Sequence, residues 1–320
     1  MLPLTVTGLL ALSACQLVGQ DDAASDKAGR LNTLTASPLH AYMVDSSSDE
    51  VKIVNSAEWI LAKKCMLRLG FEGFVAFNPK TVESTYSVRQ GDVSSRDTTD
   101  DDKPYGVDDP DLAAEHGYRG DGKSAEQSSQ PQEWPTDQYL ALTGEFDKGE
   151  SHRAHGHPIP EHGCLGEAGR QLVGPEPKAT KVNGVTVPGF ALPYQLWYES
   201  RKEGEKDPAW KKADHAWSEC MKDEGFRYDS PFDAMVDSAW IVPDRPSAKE
   251  KKAAAADARC KLDTDYIDTV HKVQTRVQKS LISKNKKGLD ALRAMQTRAV
   301  KNAQAIVAKD AKDAKDAKES

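Results

Sequence analysis

The 320-residue sequence predicts a mainly α fold: a helical body stapled by two disulfides, a long irregular loop region and a very long C-terminal helix. Apolar residues recur at intervals of three and four in several stretches, which is typical of helices with one buried face. Four cysteines follow the first apolar segment as an even set, and residues 78–135 are rich in Asp, Ser, Gly and Pro. With 38% hydrophobic residues, the chain can bury a core, though not a large one for its length.

A short motif that occurs twice marks the ends of two predicted helices. It comprises residues 65–71, Cys-Met-Leu-Arg-Leu-Gly-Phe, and residues 220–226, Cys-Met-Lys-Asp-Glu-Gly-Phe. In each copy we expect a left-handed glycine just past the last turn and a phenylalanine packed on the methionine five positions earlier. The apolar residues upstream put each cysteine on the core side of its helix: Val54, Ala57, Leu61 and Cys65 in one, and Trp210, Ala213, Trp217 and Cys220 in the other.

The even set of four cysteines predicts two disulfides in an oxidising compartment. Four cysteines allow three pairings, and neighbourhood along the chain favours Cys65–Cys164 and Cys220–Cys260. One alternative is that the thiols are free and serve as small core residues. A tetra-cysteine zinc site is the other, and it is disfavoured because no close Cys-x-x-Cys pair is present to chelate one metal.

Three shorter elements have local signals. Residues 47–50, Ser-Ser-Asp-Glu, form a capping-box pattern that opens the first helix. Residues 136–142 predict a short helix that Gly144 ends. Asn183-Gly184, between Val182 and Val185, is the strongest turn signal and predicts a small hairpin within residues 173–192.

The C-terminal part of the sequence predicts one very long helix that begins at Ser247. Its apolar stripe extends to Ile306, and roughly 60 residues would span about 90 Å at about 1.5 Å each. Gly288 is the expected weak point, since glycine costs about 1 kcal/mol relative to alanine inside a helix. The Ala-Lys-Asp repeats of residues 309–320 keep no apolar face, so we expect them to be frayed and solvated.

The N-terminal segment predicts export. Residues 1–14 are mostly apolar and end in small residues, which is typical of a secretory signal that is removed. The ending Leu12-Ser13-Ala14-Cys15 resembles the lipobox of bacterial lipoproteins. This resemblance implies cleavage before Cys15 and acylation of its thiol, so that a lipid anchor holds the protein on the extracytoplasmic face of the cytoplasmic membrane. No second apolar stretch approaches the roughly 20 residues of a spanning helix, so anchoring depends on Cys15.

Several motifs together resemble a group of uncharacterised actinomycete-type secreted lipoproteins. Besides the lipobox and the two Cys-Met-x-x-x-Gly-Phe helix ends, they are residues 105–110 (Tyr-Gly-Val-Asp-Asp-Pro), 113–118 (Ala-Ala-Glu-His-Gly-Tyr), 163–168 (Gly-Cys-Leu-Gly-Glu-Ala) and 256–260 (Ala-Asp-Ala-Arg-Cys). The resemblance covers most of the mature chain. It implies no activity, because that group has no established one, and no catalytic residue can be transferred.

Charge is distributed unevenly along the chain. The net charge is −7, but residues 245–320 contain 19 Lys and Arg against 10 Asp and Glu, a net +9, which leaves −16 for the remainder. A basic C-terminal arm could contact anionic lipid or a wall polymer. The alternative is a helix whose charged surface is simply solvated.

Two motifs suggest ligands that their contexts do not support. Residues 117–124 match the Walker A pattern, but a phosphate-binding loop needs a buried strand before it and a helix after it, and neither flank fits. We therefore expect no nucleotide. Six aspartates could bind calcium: Asp100, Asp101, Asp102, Asp108, Asp109 and Asp111. Their spacing lacks the central Gly and final Glu of an EF-hand, so a solvated acidic loop is expected.

Four histidines lie close together in the sequence and could chelate zinc, copper or nickel: His152, His155, His157 and His162. Gly156, Pro158 and Pro160 make this segment irregular, so solvated surface histidines are the favoured interpretation. We therefore predict no metal site and no cofactor.

The predicted organisation has five parts. These are a signal peptide (1–14), a lipid anchor and tether (15–45), a first disulfide module with the acidic loop (46–190), a second helical module with the long helix (191–308) and a low-complexity tail (309–320).

The sequence as a whole predicts a membrane-tethered extracytoplasmic lipoprotein that acts as a non-catalytic binding or accessory protein. The sequence contains no Gly-x-Ser-x-Gly or His-Glu-x-x-His motif and no convincing nucleophile beside a base. The expected partner is an envelope protein or wall polymer, not a nucleic acid. The alternative is a ligand- or metal-capturing lipoprotein that serves a transporter, although such receptors usually have two α/β lobes.

Overall fold

The computed structural model describes residues 37–44, 48–82, 85–90, 104–119, 132–240 and 245–319. These residues are mainly helical, which confirms the predicted fold class. The α-helices are α1 (Asp49–Arg68), α2 (Pro110–His116), α3 (Thr136–Thr143), α4 (Gly163–Val173), α5 (Leu192–Gly204), α6 (Pro208–Asp223), α7 (Pro231–Met235), α8 (Ala248–Asp263), α9 (Tyr266–Lys284) and α10 (Lys286–Glu319).

The strands in the described residues are short and form three two-stranded sheets. They are β1 (Ser87–Arg89) parallel to β2 (Gln132–Trp134), β3 (Arg153–Ala154) antiparallel to β4 (His157–Pro158), and β5 (Thr180–Val182) antiparallel to β6 (Val185–Val187). The last pair is the predicted hairpin. Asn183 and Gly184 both have positive φ, as a tight two-residue turn requires.

The repeated motif ends two helices in the predicted way. Gly70 and Gly225 have φ of 91° and 87°. After α1, the Phe71 amide donates to the Met66 carbonyl, and after α6 the Phe226 amide donates to the Met221 carbonyl. These bonds are those of the Schellman ending. The predicted capping box of residues 47–50 does not form, because Ser48 caps α1 and accepts from the Val51 amide, and valine at this third helical position has no side chain that could close the box.

Each Schellman ending is tied to a neighbouring helix by a disulfide. Cys65 of α1 pairs with Cys164 of α4, and Cys220 of α6 pairs with Cys260 of α8, with Cα atoms 5.6 and 5.7 Å apart. This is the pairing that the sequence predicts. Each bridge lies in a separate core cluster. Closing loops of this length removes about 2–4 kcal/mol of unfolded-state entropy per bridge.

The predicted 60-residue helix is wrong, because the chain breaks into α8, α9 and α10. Asp265 takes a left-handed conformation between the first two, and Asn285 interrupts the second junction. The breaks let α9 pack on α5 and α6 while α10 packs on α1 and α4. Neither break lies at Gly288, where an added Cβ would approach Leu192 Cδ2 to 2.7 Å. Its glycine thus permits close approach of α10 to α5.

The two ends of the described chain also differ from the sequence predictions. Helix α10, which is 34 residues long, continues through the tail expected to be frayed, although that tail is exposed as predicted. Residues 37–44, which the prediction places in the tether of residues 15–45, instead pack on the body. Leu39 is fully buried, and Ser37 Oγ donates to Gln278 Oε1 at 2.7 Å.

Helices α6, α7, α8 and α9 share one core cluster, and we call this part of the molecule the α8 half. A fully buried ion pair lies within it. Lys261 Nζ lies 3.0 Å from Asp257 Oδ2 one turn away on α8, and both side chains are 1% exposed. The ammonium also donates to the Val107 carbonyl at 2.9 Å, and Trp217 Nε1 donates to Asp257 Oδ1 at 2.9 Å. Burial raises the pKa of Asp257 to about 6, although Lys261 opposes the shift.

Glu58 of α1 is a half-buried carboxyl that faces α4. Its Oε1 lies 3.5 Å from where a Cβ on Gly169 would be, so the glycine leaves room for the carboxyl. No cation or hydrogen-bond donor contacts Glu58 within the described residues. Burial consequently raises the pKa of Glu58 from 4.5 to about 7.

Replacing Glu58 should change how stability depends on pH. The folded state holds the Glu58 proton up to about pH 7 while the unfolded state releases it near pH 4.5, so this group lowers stability as pH rises between those values. We expect Glu58→Gln to raise the free energy of unfolding by about 2 kcal/mol at pH 8 and to leave it unchanged at pH 4. Urea denaturation at both pH values measures this. Glu133→Gln, on exposed β2, should stay within about 0.5 kcal/mol of wild type; equal effects of the two substitutions would contradict the assignment.

Breaking the buried ion pair should be costly, and removing both charges should not. Lys261→Met leaves the Asp257 carboxylate buried without its cation, so we expect a loss of about 3–5 kcal/mol in urea denaturation with the disulfides intact. The double variant Lys261→Met, Asp257→Asn removes both charges and keeps an acceptor for Trp217. It should recover most of the loss, and a double variant no more stable than the single one would disprove this account.

Candidate functional site

The helices α5, α6, α7 and α9 enclose a cavity of about 360 Å³, which residues 104–106 complete. We call it the aromatic pocket. Its lining combines aromatic rings with charged side chains, a mixture that is typical of sites for small molecules. The aromatic side chains in the lining are Tyr105, Trp197, Trp210, Phe232 and Tyr266.

Helical spacing explains why these side chains meet. Trp197 and Arg201 are one turn apart on α5, and Trp210 and Asp214 are one turn apart on α6, so each pair shares a helix face. The left-handed Asp265 turns the chain and starts α9 with Tyr266 against α6. Trp210 and Tyr266 are almost fully buried, whereas the Phe232 ring remains 42% exposed at the mouth.

The pocket has an excess of negative charge. The carboxylates of Glu205, Asp214, Asp229 and Asp233 line it together with a single cation, Arg201. Arg201 Nε lies 2.9 Å from Glu205 Oε1, and its guanidinium carbon lies 4.3 Å from the centre of the Phe232 ring. The one cation is therefore already engaged inside the pocket.

Asp214 is the innermost of these carboxylates. Tyr266 donates its hydroxyl to Asp214 Oδ1 at 2.8 Å. Burial raises the pKa of Asp214, and the negative charges of Glu205 and Asp233 raise it further, against the opposing effects of Tyr266 and Arg201. Burial, and then the same carboxylate, raises the pKa of Tyr266, so its hydroxyl remains a donor at neutral pH.

A buried amide network holds the inner wall in place. Tyr105 donates to Gln274 Oε1 at 2.7 Å, and Gln274 Nε2 donates to Ser200 Oγ at 3.0 Å. Beside them, the carbonyl of Val107 accepts from the buried Lys261 ammonium. The wall at residues 104–107 is consequently fixed by α8 and α9 before any ligand binds.

The four histidines of the sequence-based metal hypothesis are exposed and have separate neighbours. The His155 Nδ1–H donates to the Leu69 carbonyl at 3.0 Å, and its ring packs edge-on against Phe71 at 4.7 Å. His152 stacks on Phe146, and His162 precedes α4 in a left-handed conformation. Across the described residues, no three His, Cys, Asp or Glu side chains come together in a metal-binding arrangement.

Most of the other sequence candidates lie at the edge of the described chain or beyond it. Cys15, residues 120–124 of the Walker-like motif and residues 100–102 fall outside the described residues. Gly117 follows helix α2 rather than a strand. Asp109 caps α2, accepting from the amides of Asp111 and Leu112.

Sequence reasoning missed the aromatic pocket. The apolar spacing places Trp210 on the core side of its helix, and the tryptophan type alone does not separate a core ring from a pocket ring at Trp197 or Trp210. The available signal was the charged residue one turn after each tryptophan, Arg201 and Asp214. Such a charge on a buried face needs a partner or a ligand.

Comparisons with known proteins do not identify the chain. No family model, curated protein or solved structure matches it. In the part of the chain that the structure describes, none of the helices is long and apolar enough to cross a membrane. The two disulfides indicate an oxidising extracytoplasmic compartment.

Proposed function

We propose that the protein is a lipid-anchored extracytoplasmic binding protein that takes a small organic ligand into the aromatic pocket and does not transform it. The pocket itself carries the proposal. It has five aromatic side chains, convergent charged groups and a volume near the lower end of the roughly 300–1,000 Å³ usual for small-molecule sites.

The location rests on two different supports. Two disulfides favour an oxidising compartment outside the cytoplasm. The lipid anchor rests on the Leu-Ser-Ala-Cys sequence that ends at Cys15 and on the resemblance to secreted lipoproteins. A single acyl chain holds a protein only marginally at a membrane, so stable attachment would need more than one.

The basic C-terminal part offers weaker support for docking on a wall polymer or anionic lipid. Many of its cations contact the protein itself: Arg276 pairs with Asp207, Lys286 pairs with Asp290, Lys261 is buried, and Arg298 donates to the Val173 carbonyl. Near the end of α10, lysines alternate with aspartates. The end of α10 therefore carries little net charge, and part of the positive charge before it is engaged within the protein, so an envelope partner is a weaker proposal than a pocket ligand.

The same pocket supports the second candidate, a ligand-capturing lipoprotein that passes its ligand to a transporter. Both candidates need binding without chemistry. Metal capture gains no comparable support, since the four histidines do not converge within the described residues.

Removal of the anchor should release the protein. Because Cys15 would carry the lipid, Cys15→Ser should move the protein from the membrane fraction into the medium or leave its precursor uncleaved. Immunoblots of fractionated cells measure both outcomes. Fully processed Cys15→Ser protein that stays in the membrane fraction would show that something other than a lipid anchors it.

Ligand binding can be tested with a small panel on the disulfide-intact chain. Choline, glucose and glutarate represent cationic, neutral and anionic ligands, and Trp197 and Trp210 provide a fluorescence signal in the pocket. We expect at least one of them to bind with a Kd below about 1 mM, equivalent to about −4 kcal/mol. Phe232→Ala should weaken that binding at least about fivefold through loss of a lining ring.

Phe190→Ala is the matched control, because Phe190 is also exposed but does not line the pocket. It should leave the Kd unchanged. Failure of all three probes to bind, or equal effects of the two substitutions, would contradict a binding function for the pocket.

A further inference from the structure

The charges that line the aromatic pocket do not balance. Four carboxylates face a single guanidinium, which leaves a net charge of −3 when all are ionised. Among these four carboxylates, only Glu205 is paired with a cation of the lining, Arg201. Asp214 and Asp233 accept hydrogen bonds from neutral hydroxyls, those of Tyr266 and Ser230. A hydroxyl stabilises a carboxylate but adds no positive charge.

The aromatic rings provide surfaces that attract cations. The face of an aromatic ring carries a partial negative charge and binds an ammonium or guanidinium within about 6 Å of its centre. The pocket already contains one such contact, between Arg201 and Phe232 at 4.3 Å. The rings of Tyr105, Trp197, Trp210 and Tyr266 line the remainder of the cavity.

Ligands of other charge fit this lining less well. An anion would meet three excess negative charges, and that of half-buried Asp214 lies where repulsion is stronger than in bulk water. A neutral sugar could stack on the rings but would leave those charges uncompensated. An ammonium ion on a short aliphatic body satisfies both features at once, because its charge neutralises carboxylates and its carbon atoms pack on the rings.

On the basis of the proposed binding function, we propose that the aromatic pocket binds a small organic cation, a primary or quaternary ammonium compound. The cavity supplies the space, the rings supply cation–π faces, and Asp214 supplies the innermost negative charge. Arg201 lowers affinity for such a ligand, since it is the only like charge in the lining.

Charge substitutions with opposite expected effects test this proposal. In fluorescence titrations of the disulfide-intact chain with choline and with 1,5-diaminopentane, Asp214→Asn should weaken binding at least tenfold, and asparagine keeps an acceptor for the Tyr266 hydroxyl. Arg201→Gln should strengthen binding at least threefold, an effect that damage to the fold would not produce. Glu133→Gln, which removes the same charge as Asp214→Asn but lies on exposed β2, should change the Kd less than twofold.

The outcomes separate the ligand class from the binding function. Tighter binding by Arg201→Gln together with weaker binding at higher ionic strength would support a cationic ligand. Binding of glucose or glutarate without binding of either ammonium compound would overturn the cation proposal and leave the pocket a binding site. Absence of binding by every probe would overturn both the cation proposal and the binding function. A loss of binding in Arg201→Gln as large as that in Asp214→Asn would overturn the charge argument.

Discussion

The buried pair of Asp257 and Lys261 is the constraint on which the rest of the α8 half depends. Two charges withdrawn from water are tolerated only when their hydrogen bonds are satisfied. Trp217 of α6 and the carbonyl of Val107 supply those bonds. The pair therefore joins α6, α8 and the segment before α2 at one point, and it fixes the wall that carries Tyr105 into the aromatic pocket. Apolar packing between helices alone would not fix the position of the irregular segment before α2.

The disulfides fix the positions of two helix ends relative to neighbouring helices. A Schellman ending satisfies the last carbonyls of a helix but leaves its position relative to neighbours to side-chain packing. In both copies of the motif, the cysteine lies one residue before the methionine whose carbonyl accepts the Phe amide. The disulfide therefore attaches the last turn of the helix covalently to a neighbouring helix. Cys65 attaches α1 to α4, and Cys220 attaches α6 to α8.

Local patterns made much of this fold predictable from the sequence. Glycine after the last helical turn and the Asn183-Gly184 hairpin each depend on a few adjacent residues, and the disulfide pairing follows the order of the cysteines along the chain. The breaks at Asp265 and Asn285 were not predictable, because the apolar stripe continues through both. They follow from packing on two different surfaces, α5 with α6 and α1 with α4. The pocket was missed for the same reason, since its lining comes from segments far apart in the chain.

The segment at residues 37–44 relates the pocket to the proposed anchor. Its His40 ring lies 5.5 Å from the ring of Trp197, which lines the pocket. Ser37 donates to Gln278, and Gln278 and Gln274 both donate to Ser200, so hydrogen bonds continue to the amide that holds the inner wall. In the proposed lipoprotein, the tether would therefore join the body beside the pocket and not at the far end of α10.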